Sequence, residues 1–225
     1  MIDISIIIVN YNVKEFIIPC IKSIIEYSPK NLSTEIIVVD NNSYDESVIL
    51  ITKKFPNIKL ILNDENIGFS KGANKGAKVA QGKYLYLLNP DTELLDDSLT
   101  QLMKFIEINN NIAVLGPAMY SKSNKLQQSY WKRPNLFNTL LSITHLEVFN
   151  RGKNYNGVTF KSATEVESIS GAAFFVNASL FNSIGGFDPK LFWMEDIDFC
   201  KRISEMGYKT YYLPRCKVIH YGGKS

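Results

Sequence analysis

The segment Asn-Pro-Asp at residues 89–91 follows an apolar run and carries a carboxylate. That run, Tyr84–Leu88, predicts a buried strand, so the sequence places Asp91 just beyond the end of a strand. Pro90 restricts the backbone conformation between them and so helps to fix the position of Asp91. Beside a bound diphosphate, a carboxylate here could hold Mg²⁺ or Mn²⁺, because both ions favour carboxylate and phosphate oxygens. A simple turn after a strand is the alternative interpretation.

A second acidic cluster lies near the end of the sequence. Glu195, Asp196 and Asp198 precede Phe199 and Ile203, whose spacing predicts an amphipathic helix. Acids in a first helical turn commonly act only as partners of the helix dipole. A positioned carboxylate can instead accept the proton of an attacking hydroxyl, which is typically worth about 10²–10⁴-fold in rate. On these residues alone, the helix-dipole role is the favoured interpretation.

Strands that alternate with helices must position these acids. Strands are predicted at residues 4–9, 35–40, 58–62, 83–88 and 112–116. Helices are predicted from Asn12, from Ser43 to Lys54, from Phe69 to Gln81 and from Asp96 to Asn109, the first two with capping-box spacing at Asn12/Glu15 and Ser43/Glu46. This alternation predicts an α/β fold with a mainly parallel central sheet.

The second half is less regular. From Pro117 to about Thr164 the periodicity is lost, apart from one predicted helix near residues 136–149. Order then returns, with strands predicted at 171–176, 209–213 and 216–220 and helices at 178–183 and 195–206. We therefore predict one α/β domain over residues 1–225, with an irregular insertion before its second half.

The polar residues at the predicted strand ends should lie together. In an open parallel sheet, ligands bind beyond the carboxyl ends of the strands. Asn10 and Tyr11 follow the first strand, Asp40 ends the second, and Asn89 and Asp91 follow the fourth. Asp40 either accepts hydrogen bonds from the base or ribose of a nucleotide or only forms a turn with the asparagines after it.

A helix with few large side chains follows the third strand. Gly68, Gly72 and Gly76 fall four residues apart and create a face that can approach the sheet or a ligand closely. Helix packing and a substrate-facing role both fit this pattern. A dinucleotide-binding fingerprint does not, because no G-x-G-x-x-G follows the first strand.

Composition excludes several classes of protein. The net charge of +3 comes from 25 basic and 22 acidic residues without a basic stripe, so we expect no nucleic-acid partner. Three widely spaced cysteines indicate reduced thiols, and two histidines argue against chemistry built on several imidazoles. No signal peptide or membrane span is evident, so we expect a cytoplasmic protein whose membrane contact would be peripheral.

The order of the motifs resembles a known family. The resemblance spans Ser5 to about His220 and rests on seven motifs, which are, in order, IIIVNYN, VVDNNS, NIGFSKGANKG, YLYLLNPD, GAAFFV, GGFDPKLFWMEDIDFCKR and HYGG. Each motif is weakly specific, but the ordered series is similar to the family 2 glycosyltransferases of GT-A fold. Within them it most resembles the rhamnosyltransferase-like bacterial enzymes that build cell-surface polysaccharides.

The resemblance implies a nucleoside-diphosphate-sugar donor and a saccharide or lipid-linked acceptor. Residues 1–116 would form the nucleotide-sugar-binding half, and residues 117–225 the acceptor-binding and catalytic half. The implied donor-binding residues are Asn10, Tyr11, Asp40, Asn66, Gly68, Lys71, Asn74, Asn89 and Asp91. The residues expected to border the acceptor are Gly171, Trp193 and Trp131, with Phe192 beside them.

The resemblance also implies a divalent metal, Mn²⁺ or Mg²⁺. Asp91 corresponds to the last acid of the family's Asp-x-Asp motif, whereas Asn89 stands where the fuller motif has its first acid. His220 matches a position that completes the metal shell in many such enzymes, and a histidine without a metal role fits equally well.

The catalytic base of the family is the aspartate of the Glu-Asp pair, here Asp196. The resemblance implies direct displacement with inversion at the sugar, and Glu195 and Asp198 would be supporting acids. A helix N-terminus should keep the base ionised at neutral pH. We expect Asp91 and Asp196 to face each other across one cleft, with Asp91 at its surface.

Two other functions fit the same residues. A nucleotidyltransferase that makes nucleotide-sugars should carry a glycine- and basic-rich loop after the first strand, which VNYNVKE does not provide. A non-catalytic nucleotide-sugar-binding module would keep the fold without turnover. If the chain is a transferase, we expect it in the cytoplasm, including the inner face of the plasma membrane.

Overall fold

A computed structural model of the chain describes residues 2–133, 159–191 and 193–223, and its central feature is one large sheet. The strands are Ile2–Asn10 (β1), Thr34–Asp40 (β2), Lys59–Leu62 (β3), Gly82–Leu88 (β4), Thr92–Leu94 (β5), Ile112–Tyr120 (β6), Leu126–Gln127 (β7), Tyr130–Trp131 (β8), Thr164–Val166 (β9), Ser168–Ile169 (β10), Ala173–Asn177 (β11) and Lys209–His220 (β12). The helices are Lys14–Tyr27 (α1), Ser47–Lys54 (α2), Phe69–Val79 (α3), Ser98–Ile108 (α4), Ala178–Ser183 (α5) and Glu195–Glu205 (α6). The helix predicted at 136–149 lies outside the described residues.

The sheet is mixed, and its part around β1 and β2 is parallel, as predicted. Its strands run in the order β3-β2-β1-β4-β11-β6-β12-β5, and β7 and β9 pair beside this path. The neighbours of β1 and β2 run parallel to them, whereas β11 and β5 run antiparallel to their neighbours. Asn10 pairs with Asp40 in register, so the ends of β1 and β2 lie side by side.

Apolar side chains cover both faces of the sheet. Ile6 and Ile8 pack on one face in a core that includes Ile17 of α1, while Ile7 packs on the other with Ala73 of α3. Burial on both faces explains why β1 is a continuous β-branched run rather than an alternating one. The three cysteines, Cys20, Cys200 and Cys216, are free and buried in these cores, as predicted.

The predicted capping boxes do not form. α1 begins at Lys14 without a side-chain cap, and Asn12 instead accepts a hydrogen bond from the backbone N–H of Tyr44 at 2.9 Å. α2 begins at Ser47 rather than Ser43, because the Ser43 hydroxyl bonds Asp40 at 2.6 Å. Both polar residues join the loops after β1 and β2 instead of starting helices.

Regular structure extends beyond Pro117, where the sequence predicted its loss. β6 continues to Tyr120, and the proline lies past Val114 and Leu115, the residues of β6 that pair with β11. A residue without an N–H is tolerated where no ladder bond is required. The strands predicted at 209–213 and 216–220 form one strand, β12, with a register irregularity between Leu213 and Lys217.

Gly116 allows a close approach between β6 and β10. A Cβ at this buried position would overlap Cγ2 of Ile169 and lie 2.8 Å from its Cδ1. Ile169 comes two residues before Gly171, which contacts the acidic cluster at the start of α6. The missing side chain of Gly116 therefore helps to seat the segment that carries a candidate site residue.

We expect Gly116→Ala to lower the free energy of unfolding by about 1–3 kcal/mol, because the added methyl group overpacks a filled core. Urea unfolding of Gly116→Ala, Ile169→Ala and the double variant measures the effect. The double variant should lose less stability than the sum of the single variants, since truncating Ile169 makes room for the methyl group. Simple additivity would contradict the proposed contact.

Candidate active site

The ends of β1 and β2 are joined by a buried polar network. The side-chain amide of Asn10 donates to Asp40 Oδ1 at 2.7 Å, to Ser47 Oγ at 2.9 Å and to Ser43 Oγ at 3.1 Å. Asp40 also accepts the Ser43 backbone N–H at 2.9 Å. These bonds fix the carboxylate of Asp40, which is only 2% exposed, whereas Tyr11, the residue after Asn10, is 41% exposed. An accessible aromatic ring at the end of β1 can pack against a planar ligand.

The loop before α3 is tied to the end of β2. The side-chain amide of Asn41 donates to Asn66 Oδ1 at 3.2 Å and to the carbonyl of Gly68 at 3.3 Å. Gly68 has a φ of 81°, a conformation that glycine adopts without strain. A cavity of about 360 Å³ lies between residues 66–71 and 189–191, and Lys71 lines it.

Asp91 is fully buried, contrary to the expectation of an acid at the surface of a cleft. Its exposure is 0%, and neither carboxylate oxygen accepts a hydrogen bond from a described residue. Nε2 of His220 lies 3.6 Å from its Oδ1. β5 follows directly after Asp91 and pairs Thr92 with His220, which brings the histidine against the acid. The sequence did not predict β5, and its pairing with β12 accounts for the burial.

A carboxylate without donors in the interior is costly, and a cation would compensate its charge. Burial lowers the pKa of His220 while the Asp91 carboxylate acts in the opposite direction, so the imidazole favours its neutral, metal-binding form. The described residues contain no group of three or more potential metal ligands. The chemistry of this pair fits a divalent ion that takes its remaining ligands from substrate phosphates and water.

Asp196 is held close to the end of β4 by the backbone. The N–H of Gly171 donates to Asp196 Oδ2 at 2.8 Å, and the N–H of Asn89 donates to the carbonyl of Ala172 at 2.9 Å. Asn89, two residues before Asp91, is therefore bonded to the loop that binds Asp196. The structure brings the two predicted acidic segments to one region of the sheet.

Burial dominates the electrostatics of the acidic pair. It raises the pKa of Glu195 to about 7, and Glu195 Oε2 has no hydrogen-bond partner among the described residues. Burial also raises the pKa of Asp196, although the N–H groups of Gly171 and Ile197 act in the opposite direction. Burial therefore opposes the predicted effect of the helix N-terminus, whose N–H groups favour the ionised form of Asp196.

A model of the family "Glycosyl transferase family 2" matches residues 5–177. The chain belongs to glycosyl transferase family 2.

Two bacterial rhamnosyltransferases are similar to this chain in sequence. The chain is 24% identical over 217 residues to the N-acetylglucosaminyl-diphospho-decaprenol L-rhamnosyltransferase of Mycobacterium tuberculosis, covering 87% of this chain and 70% of that protein. It is 30% identical over 148 residues to the rhamnosyltransferase WbbL of Escherichia coli K12, covering 63% of this chain and 53% of that protein. The resemblance to rhamnosyltransferases is confirmed.

The fold is that of solved glycosyltransferases. The crystal structure of GalNAc-T7 with UDP, GalNAc and Mn²⁺ superposes with a TM-score of 0.74 at 16% sequence identity, covering 98% of this chain. The chain spans 44% of the length of that protein. This likeness confirms the predicted GT-A fold. In the part of the family 2 chain that the structure describes, no helix is both long and apolar enough to cross a membrane.

Two predicted site residues of this family 2 protein are engaged by other parts of the fold. Asp198 bonds Arg202 at 2.8 Å, and the same guanidinium donates to the carbonyls of Ile184 and Gly186. The side chain of Asn74 donates to the carbonyl of Phe187 at 2.7 Å and accepts its N–H at 2.9 Å. Both side chains hold the turn after α5.

The predicted acceptor residues lie in different settings. Trp193 is 76% exposed and directly precedes Met194, whose φ of 71° starts α6 in a left-handed conformation. Trp131 is half-buried in β8, where its carbonyl accepts the Ser168 hydroxyl at 2.9 Å. Gly171 binds Asp196 through its N–H, and Phe192 lies outside the described residues.

Sequence reasoning missed two residues near this family 2 site. Phe69 lies at the start of α3, and its Cε1 would be 3.6 Å from a Cβ built on Gly171. Gln127 contacts His220 from the short strand β7. Phe69 lies within NIGFSKGANKG but was given no role there, and Gln127 belongs to no motif. Each reaches the site through contacts between segments far apart in the sequence.

We expect Glu195→Gln to be more stable than the wild type near pH 8 and close to it near pH 4. The folded chain favours protonated Glu195, so its contribution to stability is present below the ordinary pKa of 4.5 and is lost as the pH rises through about 7. Glutamine mimics the neutral acid at every pH.

Urea unfolding at both pH values measures this difference. Glu205→Gln, which changes an exposed acid at the other end of α6, is the matched control and should show no such gain. The stability difference between Glu195→Gln and the wild type should be larger at pH 8 than at pH 4. An equal difference at both pH values would contradict the burial of an ionisable Glu195.

Proposed function

We propose that this family 2 protein transfers a sugar from a nucleoside-diphosphate-sugar to a hydroxyl group, with inversion at the anomeric carbon. The observation that carries the proposal is the buried carboxylate of Asp91 beside Nε2 of His220. The backbone links this pair to the segment that holds Asp196. A cation-binding pair and a candidate base in one region are the two parts that such a displacement needs.

Asp196 is the proposed catalytic base. Its carboxylate accepts the proton of the acceptor hydroxyl while the oxygen attacks the anomeric carbon, and the bond from that carbon to the diphosphate breaks. The electron pair of the broken bond leaves with the nucleoside diphosphate, and attack from the opposite face inverts the centre. Burial raises the pKa of Asp196, which makes it a stronger base than an exposed aspartate.

Asp91 and His220 are the proposed protein ligands of Mn²⁺ or Mg²⁺. When bound, the ion supplies positive charge that stabilises the negative charge developing on the leaving diphosphate. Asn89 cannot serve as a second anionic ligand, so the phosphates of the donor should contribute strongly to metal affinity. The structure of GalNAc-T7 with UDP and Mn²⁺ supports the same pairing of nucleotide and metal.

The ends of β1 and β2 and the loop before α3 are the proposed donor site. Asp40 and Tyr11 would receive the base and ribose, and Asn66, Gly68 and Lys71 would lie near the diphosphate. The cavity of about 360 Å³ at residues 66–71 supports this placement. Asn74 lies in α3, the helix that follows this loop, and its bond to Phe187 would hold α3 in place.

Rhamnose is the proposed sugar, and a lipid-linked saccharide is the proposed acceptor. The named activity of the Mycobacterium tuberculosis relative supports both assignments. The acceptor would approach the exposed side chain of Trp193, next to the acidic pair. An acceptor embedded in a membrane would place the reaction at the cytoplasmic face of the plasma membrane, with the protein in peripheral contact.

We expect Asp196→Asn to lower transfer by about 10²–10⁴-fold, because the amide cannot accept the proton. Donor affinity, measured by calorimetry with Mn²⁺ and a panel of UDP-, GDP- and dTDP-sugars, should change little. Asp198→Asn is the matched control on the same helical turn, and its effect should fall on thermal stability, since Asp198 bonds Arg202. An equal loss of donor affinity in Asp196→Asn would contradict the role of a base.

We expect Asp91→Asn to abolish the Mn²⁺ dependence of donor binding while raising the stability of the metal-free protein. The substitution removes a buried charge that no described residue compensates, and removing such a charge commonly stabilises. Asp97→Asn, an exposed change of the same charge, is the matched control. Unchanged Mn²⁺ dependence in Asp91→Asn would contradict the metal assignment.

Product analysis with the same donors distinguishes a transferase from a nucleotidyltransferase and from a non-catalytic binding module. A transferase should release nucleoside diphosphate slowly from one donor in the presence of Mn²⁺. A nucleotidyltransferase should release pyrophosphate from a nucleoside triphosphate and a sugar phosphate. A binding module should bind a nucleotide-sugar and release neither product.

A further inference from the structure

Gln127 holds both the backbone and the ring of His220. Its side-chain Nε2 donates to the carbonyl oxygen of His220 at 3.1 Å, and its Oε1 lies 3.2 Å from the ring Nδ1. Gln127 itself is fixed in β7, where it pairs with Met119 of β6. One half-buried amide therefore contacts a single histidine at two points.

The backbone contact determines how the amide of Gln127 is oriented. A carbonyl oxygen can only accept a hydrogen bond, so the NH₂ group must face the carbonyl of His220. The amide oxygen is then left facing Nδ1, and because it too can only accept, Nδ1 must carry the proton. In the neutral imidazole, Nε2 consequently has a free lone pair.

That lone pair lies next to another group with no proton to offer. Nε2 of His220 is 3.6 Å from Oδ1 of Asp91, and the Asp91 carboxylate accepts no hydrogen bond from a described residue. Two electron-rich atoms that face each other in the interior repel, and a cation that both can bind removes the repulsion.

We propose that Gln127 is a positioning residue of the divalent-cation site. By accepting the Nδ1 proton, it holds His220 in the tautomer and orientation whose Nε2 can bind a cation together with Asp91. Partners of this kind orient a metal-binding histidine and fix which nitrogen is free. The inference rests on the proposed function, which assigns Asp91 and His220 to the metal.

The tautomer can be measured without metal or substrate. The chain has two histidines, so ¹⁵N-histidine labelling gives two imidazole patterns, and the pattern missing from His220→Ala belongs to His220. Near pH 8, the wild type should show the Nδ1–H tautomer. Gln127→Met, which keeps the size but removes the acceptor, should shift the ring toward the Nε2–H tautomer. Gln127→Glu should keep the Nδ1–H tautomer, because a carboxylate also accepts the proton.

Metal affinity provides the second measurement. Electron paramagnetic resonance of Mn²⁺, titrated alone and with UDP, GDP or dTDP, gives the dissociation constant. Gln127→Met should weaken Mn²⁺ binding by about 10–100-fold, the usual effect of removing a partner of a metal-binding histidine. Gln127→Glu should retain most of the affinity. Gln128→Met changes the exposed neighbour, whose amide bonds the Tyr130 carbonyl instead, and should match the wild type.

The two measurements separate this inference from the function on which it rests. An Nε2–H tautomer in the wild type, or a Gln127→Met variant with unchanged tautomer and unchanged Mn²⁺ affinity, would overturn the role of Gln127. Equal Mn²⁺ binding by the wild type and His220→Ala would overturn the metal assignment itself. Should Gln127→Met fail to fold, the wild-type tautomer and the Gln127→Glu variant still decide the question.

Discussion

The uncompensated charge of Asp91 is the constraint around which the site is built. A carboxylate removed from water without hydrogen-bond donors costs several kcal/mol in a real protein interior. β4 carries the acid to the edge of the sheet, and β5 then turns back and pairs with β12, which closes His220 over it. This packing supplies no donor to the carboxylate from the described residues, and the proposed cation would compensate its charge.

Hydrogen bonds of the backbone connect the segment of Asp91, the proposed metal ligand, to Asp196, the proposed base. β4 and β11 pair antiparallel, and the ladder continues past their ends through the bond from Asn89 to Ala172. The next residue, Gly171, binds the carboxylate of Asp196. Since Gly116 lets the preceding segment lie close to β6, packing against the sheet helps to set the position of Gly171 and hence of Asp196. A site on strands is held more precisely than one on free loops.

Local patterns predicted the parts of this protein that local physics controls. β1, β2 and β4 were predictable because runs such as Ile4–Val9 are buried on both faces, and α3 was predictable from its spaced small residues. The burial of Asp91, the existence of β5 and the contact of Gln127 with His220 arise from pairing between distant segments. The capping box at Asn12 failed for the same reason, because its side chain accepts the N–H of the distant Tyr44, whereas Ser43 bonds Asp40 only three residues away.

The most direct measurement is anomalous X-ray scattering from crystals soaked with Mn²⁺ and a nucleoside diphosphate. We expect one manganese peak within bonding distance of Asp91 Oδ1 and His220 Nε2, with the diphosphate oxygens completing its coordination. A bound nucleotide whose manganese lies elsewhere, with the Asp91 carboxylate still enclosed and unligated, would contradict the assignment of Asp91 and His220 to the metal.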